Sequence, residues 1–209
     1  TITVNDHEYH CANNKAHGPV DMQQALTVSC NCYFINAYKG DKAQQFYEMA
    51  EEVSMGKSVQ LTDGYFTKAG YFPTREELEN LGQLASISFG QGKMLLTPIH
   101  VTAYMNMFAN NGIYVHPQIV QGFYNSDTKE LIKNLYNYNS KQVIMAETAN
   151  SIKEMLKNVV EEGAMQRAKP NYLSAGGKTG TAQTGRYNEN GNEILTAWFC
   201  GFYPYENPQ

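Results

Sequence analysis

One tryptophan, four cysteines and seven prolines in 209 residues leave this chain poor in three residue types that define special protein classes. Cys11, Cys30, Cys32 and Cys200 are too few and too unevenly spread for a disulfide scaffold, and Cys30 and Cys32 stand two apart, which does not suit a CxxC redox turn. Charge is sparse too: Lys+Arg 16 against Asp+Glu 20 gives a net −4, with no basic field for nucleic acid or for a membrane surface. The longest uncharged stretches are broken by polar residues, as in Ser86 to Gln91, so none has the continuous apolar length that spans a bilayer. No basic-then-apolar signal segment opens the sequence, which starts in the polar run Thr1 to His10. Repeats and low-complexity tracts are also missing. What remains is 42% hydrophobic, with 15 tyrosines and 9 phenylalanines, the profile of an ordinary globular chain long enough to bury a core.

The pattern of apolar residues and helix signals divides the chain unevenly. The first twenty residues are polar and turn-rich. Asp21 caps a predicted helix over Met22 to Val28, a second runs from Asn31 to Lys39, and Asp41 starts a third whose stripe is Ala43, Phe46, Tyr47, Ala50 and Val53. Residues 54–73 read as loop, and Thr74 with Glu77 is a capping-box pattern. Gly90-Gln91-Gly92 is a turn. Thr97-Pro98 opens a helix to Ala109, with the threonine hydroxyl expected to cap a free amide, and Asn110-Asn111-Gly112 ends it. Residues 114–124 look extended, 125–142 are polar and poorly determined, and a long helix follows over Ala146 to Glu162. Gly176 to Thr184 and Leu195 to Tyr203 read as two strands, with Asn190-Gly191 in the turn. The expected class is α+β, with 20–162 mainly helical and 172–205 a two-stranded sheet region of one partial domain. Two strands are few for an independent sheet.

Two triplets carry chemistry. Lys178-Thr179-Gly180, followed by Thr181, puts a cation and hydroxyls along a strand beside Gly176 and Gly177. Such a strand can bind a carboxylate and hold an extended peptide by main-chain pairing. A phosphate loop is the rival reading, but it requires glycine six residues before the lysine, where Tyr172 stands. Ser29-Cys30-Asn31 falls between two helices. Serine and asparagine two apart on a turn can face one cleft as proton relay and substrate-orienting amide, while the bland reading makes Ser29 a cap for the helix beginning near Asn31. The cysteines read mainly as small buried hydrophobes; the alternative gathers Cys11 or Cys30 with His10 or His17 and Asp21 into a structural metal site, although their spacing fits no standard zinc pattern.

In this order the triplets resemble the transpeptidase domain of penicillin-binding proteins, whose motifs are Ser-x-x-Lys, Ser-x-Asn and Lys-Thr-Gly. Further strings carry the likeness: His17-Gly18 ahead of Ala25-Leu26; Tyr33-Phe34; Gly90-Gln91-Gly92 before Leu96-Thr97-Pro98; Ala109 to Gly112; Lys178 to Gln183; and Ala197 to Phe202 before Pro204. Tyr9 to Phe34 is most similar to the monofunctional class B branch that serves elongation or sporulation.

The resemblance implies peptidoglycan D,D-transpeptidation by serine acyl transfer at the outer face of the bacterial cell membrane. Stem peptides would be the substrates, β-lactams the inhibitors, cell-wall synthesis proteins the partners of a membrane-anchored parent, and no metal or organic cofactor would be needed. It assigns proton shuttling to Ser29, a substrate amide to Asn31, the donor carboxylate to Lys178 and Thr179, and half of an oxyanion hole to the backbone N–H of Thr181. None of the 28 residues before Ser29 is serine, so the nucleophile of the Ser-x-x-Lys motif is not in this sequence, nor are the strand and helix that follow in the family. Ser54-Met55-Gly56-Lys57 has the right letters, but in a glycine-containing stretch after Ser29. The expectation is therefore an inactive part of a transpeptidase. A D,D-carboxypeptidase, a β-lactam sensor and a noncatalytic scaffold module are the alternatives, and apolar side chains exposed among Tyr65-Phe66 and Tyr71-Phe72 would line a groove, pack loops or drive self-association.

Overall fold

The computed structural model describes residues 1–40, 42–136, 139–163 and 165–208. Among them are seven α-helices and ten strands, the strands paired as five two-stranded antiparallel sheets. The α+β class holds, and eight short strands join the two long ones; two of the eight, at Ile113–Val115 and Gly122–Tyr124, fall at the ends of the stretch 114–124 expected to be extended. All eight are two to four residues long, too short for their alternation to stand out. Strands β1 (Ile2–Val4) and β2 (His7–Tyr9) turn through Asn5 and Asp6, both at positive φ, inside the segment expected to be irregular. Strands β3 (Gln60–Thr62) and β4 (Tyr65–Phe66) turn at Asp63-Gly64 inside the predicted loop. Strands β5 (Ile113–Val115), β6 (Gly122–Tyr124), β7 (Leu131–Asn134) and β8 (Ser140–Gln142) pair as β5 with β8 and β6 with β7.

The helices follow their end signals. Helix α1 (Met22–Thr27) has Asp21 at its N-cap in a full capping box with Gln24, and α2 is Asn31–Ala37. Helix α3 is Ala43–Glu52; its expected start at Asp41 lies outside the described residues. Helix α4 (Arg75–Leu78) has the Thr74–Glu77 box, and α5 (Leu81–Ser88), which no strong periodicity announces, follows with Asn80 as its cap. Helix α6 is Pro98–Ala109. Thr97 does not cap it with its hydroxyl; that oxygen meets Nδ1 of buried His100 at 2.7 Å, an alternative partner one turn along. Helix α7 (Ala146–Glu161) supplies the central stripe.

Strands β9 (Gly176–Tyr187) and β10 (Glu193–Phe202) form the long ribbon, in which Lys178 is opposite Cys200 and Gly180 opposite Trp198. Helix α7 packs on β9 and also against α1, and α6 packs on β10. One core joins Val53, Ala103, Met107, Tyr114, Leu156 and Phe202; a second, with Val159, Val160, Met165 and Ala175, receives Leu26 from α1. Through these cores α7 packs against both α1 and β9. Close approach requires glycine at two points: a Cβ on Gly163 would stand 2.7 Å from the carbonyl oxygens of Thr27 and Val159, and one on Gly176 would stand 2.3 Å from the Phe202 ring.

Aromatic neighbours separate by surroundings. Tyr65 and Phe66 are exposed, whereas Phe72 stacks on Phe46 at 6.0 Å and belongs to the core of α3, α4 and α5.

The Gly176→Ala variant is expected to lose about 1–3 kcal/mol of stability, because the added methyl must displace a ring in a packed core. Urea denaturation with an unchanged midpoint would contradict the packing described.

Candidate active site

The turn between α1 and α2 is built from hydrogen bonds at the end of α1. Cys30 N–H donates to the Ala25 carbonyl at 2.8 Å and Ser29 N–H to the Leu26 carbonyl at 3.3 Å, the paired bonds of a Schellman termination. Its left-handed position is commonly glycine. Here it is Ser29, at φ +55°. A side chain in that conformation costs about 1–2 kcal/mol, so the hydroxyl is held at the turn against local preference. Ser29 does not cap α2; the N-cap is Cys30, without a side-chain cap bond, which sets aside the structural reading of the serine.

Lys178 reaches this turn from β9. Its Nζ donates to Ser29 Oγ across 149 residues of sequence, and to the Thr179 carbonyl at 3.3 Å. Burial pushes the Lys178 ammonium below the ordinary lysine pKa, and no carboxylate lies within ion-pair distance of it among the described residues. Such a group can accept a substrate carboxylate, whose charge would replace the water lost around the cation. Thr179, Gly180 and Thr181 continue along the strand with exposed side chains or backbone. Asn31 sits at the first position of α2, its amide Nδ2 donating to the His10 carbonyl at 3.1 Å. The predicted residues thus occupy one locality, with the Asn31 donor engaged by the N-terminal segment.

Ser54 and Lys57 take no part. Lys57 Nζ is 2.5 Å from Glu51 Oε2, and the intervening Gly56 is at φ +74° in a turn rather than within a helix. Gln91, read from sequence as a turn residue and as part of a string that carries the family likeness, joins the site: its side chain bonds to the backbone of β9 beside Thr181. Nothing in a Gly-Gln-Gly triplet signals a partner some ninety residues away in sequence.

Behind the turn lies a thiol cluster. Cys11 Sγ is 3.6 Å from Cys30 Sγ and 3.7 Å from Cys32 Sγ. The ligand atoms of Cys11, His17 and Cys30 all lie within 4.8 Å of one another, and His17 Nδ1 is buried without a hydrogen-bond partner. Two thiolates on a tetrahedral zinc stand about 3.8 Å apart, given bond lengths of about 2.3 Å, so this donor set fits a thiophilic cation. The sequence-based alternative included Cys11, Cys30 and His17, which cluster here, together with His10 and Asp21. His10 is not in the cluster, and the Asp21 carboxylate instead accepts the Gln24 N–H at 2.8 Å as a helix cap. Burial would raise the Cys11 thiol pKa, but hydrogen bonds from the Cys32 backbone, the Cys30 and Cys32 side chains and the Asn31 backbone outweigh it and hold Cys11 below its ordinary value; burial pushes Cys30 and Cys32 up.

Two outcomes follow from this geometry. Ser29→Gly is expected to be more stable than Ser29→Ala by about 1 kcal/mol, since glycine relieves the left-handed strain and both variants lose the hydroxyl; equal denaturation midpoints would refute that strain. Cobalt(II) added anaerobically to the reduced chain is expected to give thiolate charge-transfer and tetrahedral visible bands that Cys11→Ser lacks. Retention of the octahedral aqueous spectrum by the unmodified chain is the contrary result.

Known proteins resemble this chain in sequence and in fold. The chain is 30% identical over 203 residues to Stage V sporulation protein D of Bacillus subtilis, covering 95% of this chain and 30% of that protein. It is 31% identical to Penicillin-binding protein 3 of the same organism, with 90% and 26% covered, and 23% identical to Peptidoglycan D,D-transpeptidase MrdA of Acinetobacter baumannii, with 97% and 32% covered. It therefore spans about a third or less of these relatives. The D,D-transpeptidase domain of a peptidoglycan glycosyltransferase from Eggerthella lenta shares the fold at a TM-score of 0.78 and 23% identity, over 94% of this chain and 48% of that one. PBPA of Mycobacterium tuberculosis does so at 0.77 and 20%, over 91% and 41%. The family model described as the penicillin binding protein transpeptidase domain matches residues 2–209, and the chain belongs to that family.

Proposed function

We propose that this chain forms the Ser-x-Asn and Lys-Thr-Gly side of a serine D,D-transpeptidase site that crosslinks peptidoglycan stem peptides outside the cytoplasmic membrane. The observation that carries the reading is the hydrogen bond from Lys178 to Ser29 at the start of an exposed strand edge. In the complete site a serine attacks the penultimate D-alanine carbonyl, its oxygen forms the new ester bond, and the scissile amide breaks to release D-alanine, whose amine takes a proton. The amine of a second stem peptide then attacks that ester, forming the crosslink and returning the proton to the serine. Lys178 and Thr179 hold the terminal carboxylate of the donor. Ser29, hydrogen-bonded to Lys178, lies in a chain through which that proton can pass, and a lysine held below its ordinary pKa gives and takes protons more readily near neutrality. The Thr181 N–H stabilises the developing oxyanion, and Asn31 orients the peptide after its amide exchanges the His10 carbonyl for substrate. A β-lactam offers the same carboxylate and a strained amide, and acylates the same nucleophile.

The attacking serine is not among these 209 residues, since no serine precedes Ser29 and Ser54 is not paired to Lys57. The chain alone is thus a binding half rather than a catalyst.

Purified chain treated with a fluorescent penicillin is expected to carry no covalent label, while N,N′-diacetyl-Lys-D-Ala-D-Ala shifts the amide resonances of Thr179 to Thr181 saturably, and Lys178→Met weakens that binding about tenfold or more, the scale of a lost charged hydrogen bond. A covalent label, or peptide binding indifferent to Lys178, would overturn the assignment.

A further inference from the structure

Strand β9 has β10 on one edge and no strand on the other among the described residues. Main-chain groups two residues apart point to the same edge of a strand, so Thr179, Thr181 and Gln183 share one direction. Gln91 identifies it as the open one: its Nε2 donates to the Thr181 carbonyl at 3.0 Å, and the Gln183 N–H donates to its Oε1 at 3.3 Å. A carboxamide offering one donor and one acceptor at this spacing reproduces the pairing of a peptide unit in a neighbouring strand. Its placement is fixed from α5. Gly90, at φ +83°, ends that helix; Gly90 N–H donates to the Ile87 carbonyl and Gln91 N–H to the Ser86 carbonyl, both at 2.9 Å, and Gly92 follows at φ +84°. The Gln91 backbone is therefore anchored by α5 independently of the strand, and the half-buried residue reaches β9 through its carboxamide.

An incoming extended peptide needs these same groups. Pairing along β9 past the Thr181 N–H uses the Thr181 carbonyl next and the Gln183 N–H after it. We propose that Gln91 is a displaceable placeholder on the β9 edge: its carboxamide stands in for a peptide group, keeps the edge from pairing with other chains, and must swing away for a substrate strand to dock beyond Thr181. The role rests on the peptide-binding reading above and adds a specificity determinant to it. Substrates with an amide positioned to take over both Gln91 bonds compensate for its departure, and shorter ones do not.

The test uses the 209-residue chain and N,N′-diacetyl-Lys-D-Ala-D-Ala, followed by NMR. In Gln91→Ala the Gln183 amide is expected to exchange with solvent faster, and the peptide to bind about three- to tenfold tighter, the range set by removing competition from one or two neutral hydrogen bonds. Gln91→Ser, which cannot reach the strand but keeps a polar surface, should match it and covers the case in which the alanine variant fails to fold. Wild-type peptide binding that neither variant tightens overturns the placeholder role and leaves the site assignment standing. Failure of the wild type and both variants to bind overturns the role together with that assignment.

Discussion

The meeting of Ser29 and Lys178 depends on how α7 is packed. Its buried residues Leu156, Val159 and Val160 contribute to the cores beneath the site, and the helix packs against both α1 and β9. Ser29 lies in the turn that terminates α1 and Lys178 is the third residue of β9, so their hydrogen bond is set by the hydrophobic packing of those elements. A single hydrogen bond to a charged group is worth about 1.5–3 kcal/mol net and cannot by itself bring together elements so distant in sequence. The glycines mark where the packing is tightest: Gly163 admits Thr27 of α1, and Gly176 admits the Phe202 ring beneath β9.

Local preference gives way at two places around the site. Ser29 occupies a left-handed helix-ending position that glycine fills at lower cost. Lys178 is drawn from water without an acidic partner among the described residues. Both are unfavourable in isolation, and both are held in place by the packing around them. The thiol cluster adjoins the same turn, since Cys30 is the residue between Ser29 and Asn31, and any change at its sulfur is one peptide bond from each.

Much of the helical frame was legible because its signals are local. Asp21, Thr74 with Glu77, and Thr97 with Pro98 all sit at helix starts that the structure contains, and the long helix expected over Ala146 to Glu162 is Ala146–Glu161. The short strands were not legible, because Ile2–Val4 or Gln60–Thr62 is one or two alternations long and gains its pairing only from a partner segment. The motif residues were visible as letters, yet their meeting was not: spacing says nothing about a contact over 149 residues. His17 and Cys11 were nameable as ligand types, whereas the exclusion of Asp21 required knowing that its carboxylate already serves α1. Gln91 left no local trace at all, since its partners are main-chain atoms that every residue possesses.

The scarcity of tryptophan has a useful side. Trp198 is opposite Gly180 on the ribbon, and a Cβ placed on that glycine would be only 3.5 Å from the indole's own Cβ. Intrinsic emission excited in the red edge of protein absorbance therefore comes from one fluorophore alongside the Lys-Thr-Gly strand. The molecule carries its own optical reporter of what happens there, without any attached dye.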